Sequence, residues 1–506
     1  MKRLPIVVLA LSFSLAASTA AQMRVDTAGA GTLISQALDH SEVMENLGYL
    51  VDVIGPRLTG SPAVRKANEW TAERFRAYGL SARLEPWTFG VTWERGPIAV
   101  RLLEPFTRAV TAHSWAWTEG TGGQPLSGPV VRVDLSRPES LAVYRDRVKG
   151  SWILPGAPSP SWNPDGPPPS PEQAAALQAE VQRRALWAAD TSFQQRQFTA
   201  DLPYALKAAG GLGTLFDGAK DFGLVTMSGS PYRLSPLPKL VISHEDYALL
   251  DRLLARGVTP RLEARVENII GKQPVAQWNT VAELRGAELP GQVVILGAHL
   301  DSWDLGTGTT DNGTGSMVVL EAARVIAQSG LRPRRTIRFI LFTGEEEGLL
   351  GSRAYAAAHA AEAESIQAVL VLDNGTGAIT GQALQGRNDL ARLWKDLLAP
   401  VAWLGAGNLR DVSKTGTDHL SFIPYGVPAF NFDQLAPGSA PVIARGYYHT
   451  HHSQVDTYDY AVEGDLKQAA AVMAVTAWEL ANLEDWLPRG AKGPLSPLPP
   501  APSKPR

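Results

Sequence analysis

Apolar positions recur in two rhythms along this chain. Residues 39–80, "DHSEVMENLGYLVDVIGPRLTGSPAVRKANEWTAERFRAYGL", carry them at helical spacing on either side of the turn "GPRLTGSP". From about residue 266 the rhythm alternates. Short apolar runs ("TVAEL", "QVVILGA", "TIRFILFT", "AVLVLDN", "PAFNFD") predict strands, and longer amphipathic stretches ("GSMVVLEAARVIAQSG", "GLLGSRAYAAAHAAEA", "GDLKQAAAVMAVTAWELANLEDW") predict helices. Strands alternating with helices predict an α/β fold with a mostly parallel mixed sheet covered on both faces.

Between 121 and 265 the texture changes. "GPVVRVDL", "GSWILPG", "GGLGTLFDG" and "PKLVISHEDYALLDRLLARG" read as short strands followed by one helix, and predict an inserted β-rich domain. The loop "PGAPSPSWNPDGPPPSPEQ" is predicted to be extended and solvated, leading into an Ala/Gln/Arg-rich helix. The expected division is therefore 22–120 as a first part of the main domain, 121–265 as the insert and 266–488 as the core. The tail 489–506 is rich in proline and expected to be disordered.

With 506 residues, two or three domains are expected. The 47 basic residues are offset by 50 acidic ones, which argues against nucleic acid as a partner. The start, "MKRLPIVVLALSFSLAASTAAQ", has two positive charges, an apolar stretch and small residues, the pattern of a signal peptide over 1–21. Ser12, Ser14, Ser18 and Thr19 interrupt it too often for a membrane anchor. The expectation is export to the periplasm or beyond, with no membrane association after cleavage. Cysteine is absent, which excludes disulfides, thiolate metal sites and thiol nucleophiles. There is no GxSxG. "GGLGTLFDG" has Phe216 where a dinucleotide fingerprint needs its third glycine, and reads as a packed turn.

Chemistry gathers where the predicted strands end, the place where open α/β sheets build their sites. After "QVVILGA" come His299 and Asp301, and Asp311 stands at the entry to the next helix. After "TIRFILFT" come Glu345, Glu346 and Glu347; after "AVLVL" comes Asp373; "YYHTHHSQVDTYDY" supplies His449, His451 and His452. Singly, each has a duller explanation: "DNG" is a common turn, and acids at a helix start are favoured by its dipole. Together they are a donor set for zinc or a similar divalent metal. Two imidazoles and three carboxylates, one of them bridging, suffice for two metals about 3.5–4 Å apart. His299 and Asp301, two apart at a strand end, can face the same side, which lets Asp301 accept the second ring N–H of His299.

The strings "GAHLDSWDLGTGTTDNGTG", "RTIRFILFTGEEEGLLGSRAY", "LVLDNGTG" and "HHSQVDT", with "GPRLTGSP" and "GTDHLSFIPYGVPAF", resemble peptidase family M28, the dizinc exopeptidases, over most of the chain. The resemblance is closest to its plasma glutamate carboxypeptidase branch. It implies a zinc-exopeptidase fold with an inserted protease-associated (PA) domain, two Zn2+ ions per chain, a peptide substrate and a possible homodimer. It also implies roles: His299, Asp311 (bridging), Glu346 and Asp373 as metal ligands, and Glu345 as general base. Three histidines compete for the last ligand position; the family's His–Ser/Thr–two free positions–Asp–Thr pattern fits "HSQVDT" only with His452. Asp301 would orient His299. Glu347 matches a variable position and is expected to be solvated.

The expected activity is aminopeptidase or dipeptidase, with Tyr447 or Tyr448 as candidates for steadying an oxyanion. The alternatives are carboxypeptidase specificity, a glutaminyl-cyclase-like enzyme with a single zinc, a non-catalytic ectodomain, or a binding role centred on the insert.

Overall fold

The computed structural model describes residues 29–135, 140–159, 170, 172, 193–434 and 447–493. The expected signal peptide, most of the proline-rich loop and the helix after it, and the tail from 494 lie outside the described residues.

The main sheet has eight strands. Its centre is four parallel strands in the spatial order Arg335–Phe342, Leu289–His299, Ile366–Val371 and Ala429–Asp433. Ile269–Leu284 and Ser81–Glu94 extend one side as antiparallel strands. Gly381–Ala383 and Asn408–Arg410 complete the other.

Strand Leu289–His299 shows why this pattern folds as it does. Alternate side chains point to opposite faces. Val294, Leu296 and Ala298 enter one core, packed with Val319 and Val472 of helices Thr314–Gln328 and Glu463–Asn482. Val293 and Ile295 enter a second core with Tyr355 of helix Leu350–Ala358 and with Phe422. Being covered on both faces, the strand is apolar along its length rather than alternating, as parallel strands in α/β proteins are. The α/β class with a mostly parallel centre is as expected.

A second eight-stranded sheet runs from Arg108–Ala109 through Ile98–Glu104, Arg261–Val266, Leu126–Arg132, Trp152–Leu154, Gly213–Asp217 and Lys239–Ile242 to Ala112–Ser114. It includes three strands that precede residue 121. It has its own core, with Val130, Trp152, Leu215 and Leu262 fully buried. "GGLGTLFDG" is indeed a packed element here, the strand Gly213–Asp217. An aromatic cluster joins the two sheets: Trp87, Phe89 and Trp93 from the main sheet meet Trp117 and Met227, with Trp303 between them. Trp303 of this seam meets the ring of His452 edge-on, with centroids 5.9 Å apart.

Candidate metal centre and pocket

Four of the five expected ligands lie at the carboxyl end of a central strand or in the loop after it, and His452 follows the short helix Tyr447–Thr450. His299 is the last residue of Leu289–His299, Glu345 and Glu346 follow Arg335–Phe342, and Asp373 follows Ile366–Val371. The Gly-rich loop 300–308 between His299 and Asp311 is held by Arg57 of the "GPRLTGSP" turn. The fully buried Arg57 donates to the carbonyls of Leu300 (2.7 Å), Thr307 (2.8 Å), Gly308 (2.6 Å) and Gly55 (3.0 Å). Gly308 sits at φ +65, a conformation glycine adopts without a Cβ clash.

Asp311 is fixed from the other end of the chain. The buried Asp456 carboxylate accepts from Thr310 N (2.6 Å), Thr310 Oγ1 (2.8 Å) and Asp311 N (3.2 Å). Burial nevertheless pushes Asp456 up to about 7 against those hydrogen bonds.

The ligand-type atoms converge. His299 Nε2 lies 3.3 Å from Asp311 Oδ1 and 3.5 Å from Asp373 Oδ1. The other oxygen of Asp311 lies 3.2 Å from His452 Nε2, which is also 3.1 Å from Glu346 Oε2. Two groups able to hold a cation result, His299–Asp311–Asp373 and Asp311–His451–His452, with Asp311 common to both. His299 Nε2, Asp311 Oδ2 and Glu346 Oε1 are buried without a hydrogen-bond partner, as atoms reserved for a metal would be. The donor set, imidazole and carboxylate without thiolate, fits a divalent metal.

Of the three late histidines, His452 is the more enclosed partner of Asp311. His451 stands at 3.6 Å from Asp311 with its side chain 43% exposed, against 24% for His452, and the two rings stack at 3.7 Å. His449 contributes its backbone carbonyl to a contact with Lys220.

Burial and neighbouring charges pull the groups of this cluster in opposite directions. Burial opposes a charge on His299, but Asp373, Asp301 and Asp311 outweigh it and hold the imidazole well above its ordinary range. His452 likewise is desolvated, yet Glu346 and Asp311 raise it to about 10. Burial pushes Glu346 up to about 7, with Asp311 adding to the shift. Burial also pushes Glu345 well above the usual carboxylate range; Asp373, Asp418 and Glu346 reinforce this while His299 opposes it.

Two expectations need correction. The ring N–H of His299 does meet Asp301, but through the main chain: Nδ1 lies 3.0 Å from the Asp301 carbonyl and 3.6 Å from its carboxylate. The carboxylate instead accepts from Thr59 Oγ1 at 2.9 Å and from Glu346 N at 3.4 Å, so it braces the acidic loop. Glu347 is not a solvated helix-start residue. The helix begins only at Leu350, and the Glu347 carboxylate oxygens are buried, with burial and Asp301 raising the group well above its usual range.

Residues without an expected role also face the site. Asp418, fully buried, is raised to about 7 by burial, against the pull of His299. Glu345, Glu346, Asp373 and Tyr447 line a cavity of about 780 Å3 together with Arg410, Lys414, Asn431 and Gln434. Lys414 Nζ donates to Asn374 Oδ1 (2.7 Å), next in sequence to Asp373, and to the Phe432 carbonyl (3.1 Å). Arg410 and Lys414 share one carboxylate, Asp433, at 2.7 and 3.4 Å. Two cations on one anion leave this wall positive. Tyr448, in contrast to Tyr447, turns toward the second sheet and donates to the Ala219 carbonyl (3.3 Å).

Residues 279–477 match the family model described as Peptidase family M28. Carboxypeptidase Q of Bos taurus is 30% identical over 460 residues, spanning 88% of this chain and 86% of that protein. The crystal structure of a peptidase M28 precursor from Shewanella amazonensis SB2B superposes with a TM-score of 0.72 at 25% identity, covering 94% of this chain and 99% of that one. A zinc aminopeptidase from Bacillus subtilis shares the fold, with a TM-score of 0.61 at 19% identity over 88% and 97% of the two chains. Fold and kinship together define an enzyme of the metallo-exopeptidase class. The chain belongs to peptidase family M28, as its motifs imply.

Proposed function

We propose that this chain is an exported, two-zinc exopeptidase acting as an aminopeptidase or dipeptidase, with short peptides bearing a free carboxylate as preferred substrates. The observation that carries this reading is the sharing of Asp311 between two ligand groups, its two oxygens aimed at different imidazoles. In this reading His299, Asp311 and Asp373 hold one zinc, and Asp311, Glu346 and His452 the other. Bound there, the pair supplies Lewis acidity toward a peptide carbonyl and lowers the pKa of water.

The chain's own groups supply the rest. Glu345, on the pocket wall, takes a proton from the attacking water and passes it to the leaving amine. Its place on the pocket wall, outside the close ligand contacts, suits a group that acts on the proton in transit. The Asp301 carbonyl keeps the His299 ring in the orientation that leaves Nε2 free toward the metal side. Lys414 and Arg410 receive the substrate carboxylate, which sets how far a peptide extends beyond the scissile bond. Export rests on the pattern of residues 1–21.

The test is a matched set: a free dipeptide, its N-acetyl form, its C-amide and a longer peptide, each with zinc-loaded and chelated protein. Metal-dependent cleavage lost on N-acetylation marks an aminopeptidase; loss on C-amidation as well marks a dipeptidase. Cleavage that survives N-acetylation but not C-amidation marks a carboxypeptidase. Bound zinc counts separate this enzyme from a glutaminyl-cyclase-like one, which would hold a single ion.

A further inference from the structure

The segment that carries His452 is held from outside the main sheet. Loop residues 218–227, between strands Gly213–Asp217 and Lys239–Ile242 of the second sheet, reach across and bind it along its length. Lys220, itself only 6% exposed, donates Nζ to the carbonyls of His449 (3.3 Å) and His451 (2.5 Å). Met227 N–H donates to the carbonyl of His452 itself (2.8 Å). Gln454 closes the other side, accepting from Val225 N (3.1 Å) and donating to the Gly223 carbonyl (3.0 Å). Beneath them the rings of Trp117, Trp303 and His452 form an edge-to-face chain with centroids 6.3 and 5.9 Å apart.

This clasp has something to hold. His452 sits at φ +58, a left-handed conformation that a residue with a Cβ adopts only when its surroundings impose it. The short helix Tyr447–Thr450 ends two residues earlier, where the His449 carbonyl accepts from Ser453 Oγ and the Thr450 carbonyl from Ser453 N at 2.9 Å. The buried Lys220 ammonium adds a second donor to the His449 carbonyl, supplies the His451 carbonyl and complements the negative end of the turn. The backbone that aims the His452 ring at Asp311 and Glu346 is thus fixed by groups of the second sheet.

Resting on the two-zinc reading above, we propose that the 218–227 loop is a working part of the metal centre rather than an appendage to it. Lys220 is its principal positioning residue, setting the affinity of the Asp311–Glu346–His452 site without touching the metal. The second sheet is then required for a complete centre, not for docking.

The experiment uses the full chain and three variants: Lys220→Met, Lys220→Arg and Gln454→Leu. Each is titrated with Zn2+ by calorimetry and with Co2+ by visible absorption, alongside hydrogen exchange over 449–456. Removing a group that orients a metal ligand costs about 10–100-fold in metal affinity. One binding step should weaken by that factor in Lys220→Met and in Gln454→Leu, while the other step stays as in the wild type. Exchange over 449–456 should quicken, and Lys220→Arg should recover much of the lost affinity. Unchanged affinity of both steps in both loss variants would overturn the proposal. So would an equal fall of both steps together with the thermal midpoint of the metal-free protein, because that marks a general structural role. A wild-type protein that binds fewer than two zinc ions overturns the two-zinc reading itself, and that result is visible before any variant is made.

Discussion

The carboxylate of Asp456 accepts the main-chain N–H of Asp311 at 3.2 Å, so the last motif of the chain holds the central carboxylate of the first. The same carboxylate takes two further hydrogen bonds from Thr310. These bonds fix the backbone of Asp311, while His299 and His452 meet its two oxygens at 3.3 and 3.2 Å. Asp456→Asn keeps the shape but replaces one acceptor oxygen with a donor that faces N–H groups. We expect kcat/KM on a cleaved dipeptide to fall about 10–100-fold, with zinc binding weakened in parallel. Kinetics at fixed free zinc measure this; wild-type activity in that variant would remove Asp456 from the positioning of Asp311.

Glu345 lines the cavity beside the ligand cluster, and none of the close ligand contacts involves it. A base that acts only on the proton being transferred should affect turnover alone. Glu345→Gln should therefore retain both zinc ions and the wild-type KM while kcat falls about 10²–10⁴-fold. Metal analysis with steady-state kinetics provides the readout. A kcat near that of the wild type would move the base role elsewhere, with Asp418 the next buried carboxylate to try.

The cluster was partly legible, because His299, Glu346 and Asp373 follow apolar runs that read as strands and strand ends converge in this class of sheet. Asp311 follows a Gly-rich loop, and His452 was singled out only by the family resemblance. The structure brings His299, Asp311 and Asp373 together, and His452 against both Asp311 and Glu346. What holds them was not legible. Arg57 bonds a carbonyl 243 positions away, and Asp456 an amide 145 positions away, and no local pattern announces such a pair. Strand Ser81–Glu94 went unread because Pro86 and three charged residues break its alternation, although pairing with Ile269–Leu284 makes it a strand regardless. In the run Glu345–Glu347, sequence could not tell which side chain turns to the pocket and which is enclosed behind it. Lys220 lay in a segment that reads only as a loop between two short strands.

Arg57 is a structural counterpart to the ligands. Its guanidinium is the shared donor for four backbone carbonyls, three of them in the loop 300–308 that separates His299 from Asp311. Burial lowers it to about 10, which still leaves it charged at neutral pH. Arg57→Met removes every donor and leaves buried carbonyls unpaired, at a cost of about 3–5 kcal/mol. The thermal midpoint of the chelated protein should fall by about 5 °C or more. Arg57→Lys should rescue little, since a single ammonium cannot replace a planar fork that reaches separate carbonyls. A midpoint within a degree of the wild type would show that the loop keeps its path without this anchor.

The positive wall of the cavity carries the substrate preference proposed here. Lys414 is the more enclosed of its two cations, with its side chain 14% exposed against 29% for Arg410. It also lies nearer the ligands, through its hydrogen bond to Asn374. A substrate carboxylate arriving at Lys414 gains a charge-assisted hydrogen bond worth about 1.5–3 kcal/mol. A C-terminal amide gains much less. Lys414→Met should thus lower kcat/KM for a free dipeptide about 10–100-fold and leave its C-amide nearly unchanged, so that the preference of the wild type for the acid collapses. Arg410→Gln should move the same ratio in the same direction but less far, because its guanidinium is more exposed and its pairing with Asp433 is closer. The ratio of the two substrates, taken on one enzyme preparation, cancels any loss of folded or metal-loaded protein. If Lys414→Met lowers both substrates equally, the lysine merely supports the 411–417 loop, and the carboxylate preference must be sought in another group on the wall.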